Sequence, residues 1–463
     1  MSGHAQGKGG VIRFLVENSL LLIIGAVAAL VWANTDGHSY HEFIHFDLAA
    51  MVSGDDGHGD AGHGDDGHGA EDHGDASHGD TAAADHGDDG HAEAGHGDDS
   101  HADGGGGHHG VTIHFLINDV LMALFFAIAG KEVWESLLPG GALANPRKAA
   151  TPLLATLGGI LGPVVVYLAG AALAGGDAFA AFKNGWAVPC ATDIAFSYLV
   201  ARFIFGGSHP AIAFLLLLAI ADDAAGLIIL AIFYPTQAIE PMWFLLTLAA
   251  IASAWALQKM RVQSHWWYLL GPGVMCWFSF YFAHIHPALG LVPIIPMLPH
   301  AQTDLGIFAR EELNRDDTLN AFEHFWKVPV EYILGLFGLV NAGVVLSSVG
   351  TGTWLVLAGL LIGKPVGITL MTLLAEKGMK LQKPAGMDYR HVVTLGMVAG
   401  IGFTVALFVS VAAFKEPGAI QDSVKMGALL SFLAAPIAIA IGRGLGVRPE
   451  SDDASGDPEA AAA

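Results

Sequence analysis

The chain has 463 residues, 53% of them apolar, and a formal net charge of −23; apolar content gathered in long runs excludes an ordinary soluble domain and points to an integral membrane protein. The charge is local: residues 54–109 hold 16 acidic and no basic residues, leaving 28 acidic against 21 basic residues elsewhere, so there is no general acidic surface and no basic patch for a nucleic acid. Cys190 and Cys276 both fall in apolar runs, which implies no disulfide framework.

Residues 1–10 lack a hydrophobic core and a cleavage site, so the first apolar run, residues 12–33, reads as a retained membrane helix, with a short targeting role as the alternative. Next comes YHEFIHFDLAAMV, then the low-complexity insert, then GVTIHFLIND. The flanks 43–52 and 110–115 are β-prone and could pair as a small external hairpin with the insert at its tip. The insert places histidine every fifth residue, at His58, His63, His68, His73 and His78 and again from His86 to His101. Five residues step about 140° round a helix, and Gly and Asp at this density favour disorder. The segment reads as a solvated loop; weak zinc, nickel or copper binding is the chemical alternative.

Further spans lie near residues 116–138, 151–173, 187–201, 215–233, 241–257, 266–282 and 287–298. A charged loop at 302–323 precedes four more, near 328–346, 354–375, 392–414 and 426–441. The total is about twelve, an all-α polytopic membrane protein. With a cytoplasmic amino terminus, 16 of the 21 basic residues fall on the cytoplasmic side, which predicts both termini inside and the insert outside. The chain thus divides into 1–53 (first helix and first hairpin strand), the insert 54–109, a membrane core 110–445 and a disordered cytoplasmic tail 446–463.

The fifth span reads LLLLAIADDAAGLIILAIF, with Asp222 and Asp223 near its middle. A carboxylate at mid-depth costs about 2.5–3.5 kcal/mol on insertion scales, and such groups usually face a cavity, pair and mark an ion or proton path. Adjacent residues on a helix point about 100° apart, so each acid needs a partner from elsewhere. Asp193 lies in AVPCATDIAFSYLV, and Lys364 lies between Gly363 and Pro365 in LLIGKPVGI. A buried ion pair that only fixes packing is the bland alternative. Pro189 ahead of Thr192 and Asp193, and Gly400 and Gly402 ahead of Thr404, suit helices that break within the membrane and line a cavity. An ordinary kink explains either one alone; two, one in each half, favour inverted repeats.

The motifs INDVLMALFF (117–126), GWAVPCATDIAF (185–196), LAIADDAAGLIILAIFY (218–234), NAGV (341–344), GLLIGKPVGI (359–368) and GIGFT (400–404) together resemble the NhaA-type bacterial sodium/proton antiporters. The resemblance covers nearly all of the chain outside 54–109 and the tail after residue 449. It implies inverted-topology repeats with two broken, crossing helices, for which this family is itself a standard example. It also implies export of Na⁺ or Li⁺ against external protons for pH and sodium homeostasis in the bacterial inner membrane, no cofactor, and a homodimer through the external hairpin. By the same resemblance Asp223 is the main ion-binding carboxylate, with Asp222 as the second Na⁺-site acid and partner of Lys364. Thr192 and Asp193 compensate the crossed half-helices, and Glu132, Glu323 and His324 belong to a pH-sensing cluster. Trp134, Glu135 and Ser136 depart from the basic-containing pattern expected after Glu132. Lys131 and Glu331 read as groups snorkelling to the cytoplasmic side. Two other functions fit parts of the sequence: a divalent-metal exporter, from the His-rich loop, and an intramembrane aspartyl protease, from the paired acids, although its GxGD pattern is absent.

Overall fold

The computed structural model describes residues 20–48, 111–300 and 317–449; the insert and the tail lie outside them. Two units divide the chain, Met1–Phe46 with Thr112–Ala463, and Asp47–Val111. Everything that bears on the site belongs to the first.

That unit is helical throughout its described residues. It begins with α1 (Leu20–Thr35) and the short α2 (Gly37–Ile44), and resumes with α3 (Ile113–Leu137) and α4 (Pro146–Leu173). The first broken pair, α5 (Gly176–Cys190) and α6 (Ile194–Phe205), precedes α7 (Pro210–Phe233) and α8 (Pro241–Lys259). After α9 (265–282) and the 3₁₀ turns of α10 (Pro287–Met297) come α11 (Thr318–Asn341) and α12 (Thr351–Gly378). The second broken pair is α13 (Tyr389–Ala399) with α14 (Phe403–Ala413), and α15 (Ala419–Gly444) closes the unit. Six of these helices are long and apolar enough to cross a membrane, or eight if each bent pair counts as one span; α1 and α10 are shorter apolar helices. The protein is a multi-pass membrane protein.

Three readings of the sequence change. Parts of the hairpin flanks, residues 43–44 and 113–115, are helical where extended strands were expected, although Ile113 N still donates to Phe46 O at 3.3 Å: Asp36 caps α2 by accepting from Ser39 N at 3.1 Å, and Thr112 caps α3 by accepting from Phe115 N at 3.1 Å. Caps of this kind favour a helix over the local β preference. α11, the ninth expected span, starts at Thr318, inside the expected loop, because Asp317 accepts from Asn320 N at 2.8 Å; Glu323 is therefore helical. The eighth passage forms 3₁₀ turns, with Pro287, Pro293 and Pro296 withholding the N–H groups a longer α-helix needs.

The two broken pairs bend by 56° and 49°. Their breaks meet: Asp193 N donates to Ile401 O at 2.7 Å, Thr192 Oγ1 to Ala399 O at 3.2 Å and Ser197 Oγ to Val398 O at 3.1 Å. Backbone groups freed by each break are thus satisfied by the other, as the absence of water at membrane depth requires. Glycine permits the approach. A Cβ on Gly402 would stand 3.0 Å from Ala191 O at the other break, and one on Gly400 2.6 Å from Leu360 O of α12 behind it. On the other side, α4 and α12 touch backbone to backbone, where a Cβ on Gly158 would lie 2.1 Å from Gly367 O. Small residues of this spacing hold helices together in a bilayer, which offers no hydrophobic drive between them.

Candidate functional site

Asp222 and Lys364 come together. The lysine sits just after a π-turn, Gly359–Gly363, which absorbs the hydrogen bond that Pro365 cannot make. With α12 pressed on α4, the Lys364 side chain is fully buried, and its Nζ lies 2.7 Å from Asp222 Oδ2. Nζ also donates to Cys190 O, a carbonyl that α5 leaves without a helical partner because residues 191–193 are extended. Thr192 Oγ1 donates to the same Asp222 Oδ2 at 2.8 Å. Asp222 Oδ1 is buried and has no hydrogen-bond donor among the described residues. Buried polar atoms are rarely left so.

Asp193 is differently employed. As N-cap of α6 it accepts from Phe196 N at 3.2 Å, and across the crossing it accepts from Thr404 N at 3.3 Å and from Thr404 Oγ1. One carboxylate therefore caps the N-termini of two half-helices, each carrying about half a positive charge at that end.

Asp223 points elsewhere on α7. It makes no hydrogen bond or ion pair among the described residues and lines a cavity of about 200 Å³. Thr192, Asp193 and Thr404 line it at the helix crossing, Glu132, Glu323 and Lys327 line it toward the start of α11, and Glu331 lies about 12 Å further along that helix from Glu323. Helical spacing explains the lining: Phe125, Ile128, Ala129 and Glu132 share one face of α3, and Glu323, Lys327, Val330 and Leu334 share one face of α11. From Glu323 to Leu334 the helix rises about 17 Å, so the cavity runs from mid-helix to a helix end.

Of the other predicted residues, Pro189 lies in the 3₁₀ turn before the first break and Gly400 and Gly402 form the second. Glu132 is exposed to the cavity and has no hydrogen bond or ion pair among the described residues. Glu323 pairs with Lys131, and His324 is exposed and off the cavity lining. Sequence reasoning missed two contacts. Lys131, read as snorkelling, is only 4% exposed and bonds Glu323 and Glu135; its four-residue spacing from Glu135 was the available signal. Asn118 and Asn341 exchange side-chain amide bonds at 3.0 and 2.8 Å, joining α3 to α11. Both stand inside quoted motifs, yet nothing local pairs them.

Among the described residues no three His, Cys, Asp or Glu side chains gather as a metal-ligand set; the His-rich insert, on which the metal-exporter alternative rests, lies outside them. Asp222 is ion-paired to a lysine and shares one helix with Asp223, so the two are not the matched acids on separate helices that an aspartyl protease needs.

Residues 100–441 match the model of the family described as Na⁺/H⁺ antiporter 1. The chain is 47% identical over 455 residues to the Na⁺/H⁺ antiporter NhaA of Jannaschia sp. (strain CCS1), covering 94% of this chain and 97% of that one. It is 50% identical over 341 residues to the NhaA of Geobacter metallireducens, covering 73% and 88%, and 43% identical over 446 residues to that of Geotalea uraniireducens, covering 96% and 99%. By this breadth of match, and with its two bent helix pairs, the chain belongs to the Na⁺/H⁺ antiporter 1 family.

Proposed function

We propose that Asp223 is the carboxylate through which this transporter exchanges Na⁺ for H⁺. The observation that carries the reading is a contrast between neighbours: Asp222 is held by Lys364 at 2.7 Å, while Asp223 stands without a partner on a cavity wall. A carboxylate with no partner among the described residues can take a metal cation or a proton at the same oxygens. Na⁺ or Li⁺ and the proton then compete for one group, and access alternating between the two sides turns competition into exchange. Asp222 Oδ1, buried without a donor, offers the Na⁺ a second oxygen. Lys364 and Thr192 hold that carboxylate in position, and Asp193 with Thr404, Pro189, Gly400 and Gly402 holds the crossing open beside it.

The same reading takes twelve crossings with inverted repeats, both termini in the cytoplasm, and the inner membrane of a bacterium as the location. The cavity then opens inward, and the external half is closed by Phe408 against Phe126 at 4.8 Å and His286 at 4.7 Å between ring centres. Glu132, Glu323 and His324 lie toward the inner mouth as pH-responsive groups, Glu132 on the cavity itself. We also assign a small hairpin and a homodimer contact to the external segment; the bond from Leu48 N to Val111 O at 2.9 Å supports pairing of its flanks. The transporter needs no cofactor for this chemistry and serves pH and sodium homeostasis.

Titrating Na⁺ into purified wild type and Asp223→Asn by calorimetry tests the assignment, alongside ΔpH dissipation in proteoliposomes. The variant is expected to lose both binding and exchange at every pH. Wild-type binding in Asp223→Asn would remove Asp223 from the mechanism.

A further inference from the structure

The mouth of the Asp223 cavity carries a contact that the exchange reading does not use. Lys131 on α3 is one residue from cavity-lining Glu132 but turns about 100° from it, toward α11. Its Nζ lies 2.5 Å from Glu323 Oε2 and 2.6 Å from Glu135 Oε2. The lysine side chain is 6% exposed, and those of Glu323 and Glu135 are 28% and 22% exposed. Lys327 reaches Glu323 only at 3.9 Å and is 71% exposed, so it contributes little as a surface partner. A lysine with this little solvent, between carboxylates of two helices, cannot be snorkelling. It is held in the protein at the cost of its hydration, and it takes the charge of the one mouth carboxylate that α11 supplies at this level.

We propose that Lys131 is a positioning residue of the transport cycle, a cation shared by Glu135 and Glu323 that clamps α3 to α11 across the mouth of the Asp223 cavity. The clamp has two consequences. It sets the separation of the two helix faces that line the cavity, and it leaves Glu132 as the mouth carboxylate with no ion pair. Trp134, Glu135 and Ser136, after Glu132, carry no positive charge; Lys131 supplies a cation from the other side of Glu132.

This inference rests on the cavity being the ion path, so the test separates the two. Full-length Lys131→Gln, Lys131→Gln/Glu323→Gln and the charge swap Lys131→Glu/Glu323→Lys are reconstituted, with Lys131→Arg as a control for insertion and folding. The swap and the double glutamine variant both keep the triad's net charge of one negative unit, but only the swap keeps a shared cation. Lys131→Gln and the double glutamine variant are expected to lose about tenfold in maximal exchange rate while calorimetric Na⁺ affinity stays within about twofold of wild type. The swap and Lys131→Arg are expected to recover to within about threefold. Wild-type exchange in the double glutamine variant, or a swap that binds Na⁺ yet recovers no rate, overturns the clamp. Neither result touches the Asp223 assignment, which stands or falls on Na⁺ binding by Asp223→Asn.

Discussion

Lys364 is the residue whose removal is most informative about energetics. Its ammonium is fully buried and meets Asp222 Oδ2, Cys190 O and, through Asp222, Thr192. A buried pair contributes little net stability because both ions are dehydrated, but removing one partner strands the other and costs about 3–5 kcal/mol. Lys364→Ala is therefore expected to lower the unfolding temperature markedly in detergent. Lys364→Ala/Asp222→Asn removes the stranded charge and should recover much of that loss. A thermal-shift series on the two variants and wild type checks the order; a double variant no more stable than the single would mean that packing, and not charge, dominates. Na⁺ binding should survive Lys364→Ala in weakened form, because Asp223 does not depend on the lysine. The sequence made Lys364 conspicuous as a cation in an apolar span. It could not reveal that a main-chain carbonyl of the broken helix is its second partner.

At the scale of elements, the crossing of α5–α6 with α13–α14 depends on one side chain and one missing one. Asp193 accepts from Phe196 N and from Thr404 N and Oγ1, so Asp193→Ala uncaps two helix ends at once. Each cap is worth about 1 kcal/mol, and the buried N–H groups left without acceptors add about 1–3 kcal/mol each. Asp193→Asn keeps an acceptor oxygen and should lose less. The expected order of thermal stability is wild type, then Asn, then Ala, with exchange falling in the same order; equal stability of all three would show that the caps do not carry the crossing. Gly400→Ala tests the other side of the contact. Its Cβ would meet Leu360 O at 2.6 Å, an approach a backbone carbonyl can relieve only by moving α12, and overpacking of this kind costs about 1–3 kcal/mol. Because α12 also carries Lys364, exchange should fall in Gly400→Ala even where the protein inserts at wild-type levels. Pro189 and the Gly400–Gly402 pair announced both breaks in the sequence; the angles and the mutual hydrogen bonds did not follow from them.

For the whole molecule, the insert 54–109 is set against the site. It holds no aliphatic residue larger than alanine and no aromatic one, so it has nothing with which to bury a core, and every site residue lies in the unit formed by Met1–Phe46 and Thr112–Ala463. A chain lacking 54–109 is expected to insert and to exchange Na⁺ for H⁺ at close to the wild-type rate. Loss of ΔpH dissipation in a correctly inserted deletion variant would tie the insert to transport.

What the sequence by itself determined is the class of molecule and the inventory of costly groups. Long apolar runs, two interrupted ones, and the ionisable groups Asp193, Asp222, Asp223 and Lys364 within them are local properties, legible because each charge in an apolar span must be answered somewhere. Helix ends were less legible: Asp36, Thr112 and Asp317 act as caps only once the following residues have chosen the helix, and the expected strands and loop gave way there. Partner choice belonged to the tertiary structure alone. Lys364 and Asp222 are 142 residues apart, Lys131 and Glu323 192, and Asn118 and Asn341 223. Which of two adjacent aspartates turns to a lysine and which to a cavity is decided by the rotation of α7 against α4, α12 and α11. Two of the helices that α7 turns against are themselves seated on each other by backbone contacts such as Gly158 on Gly367, which no pattern within a single span encodes.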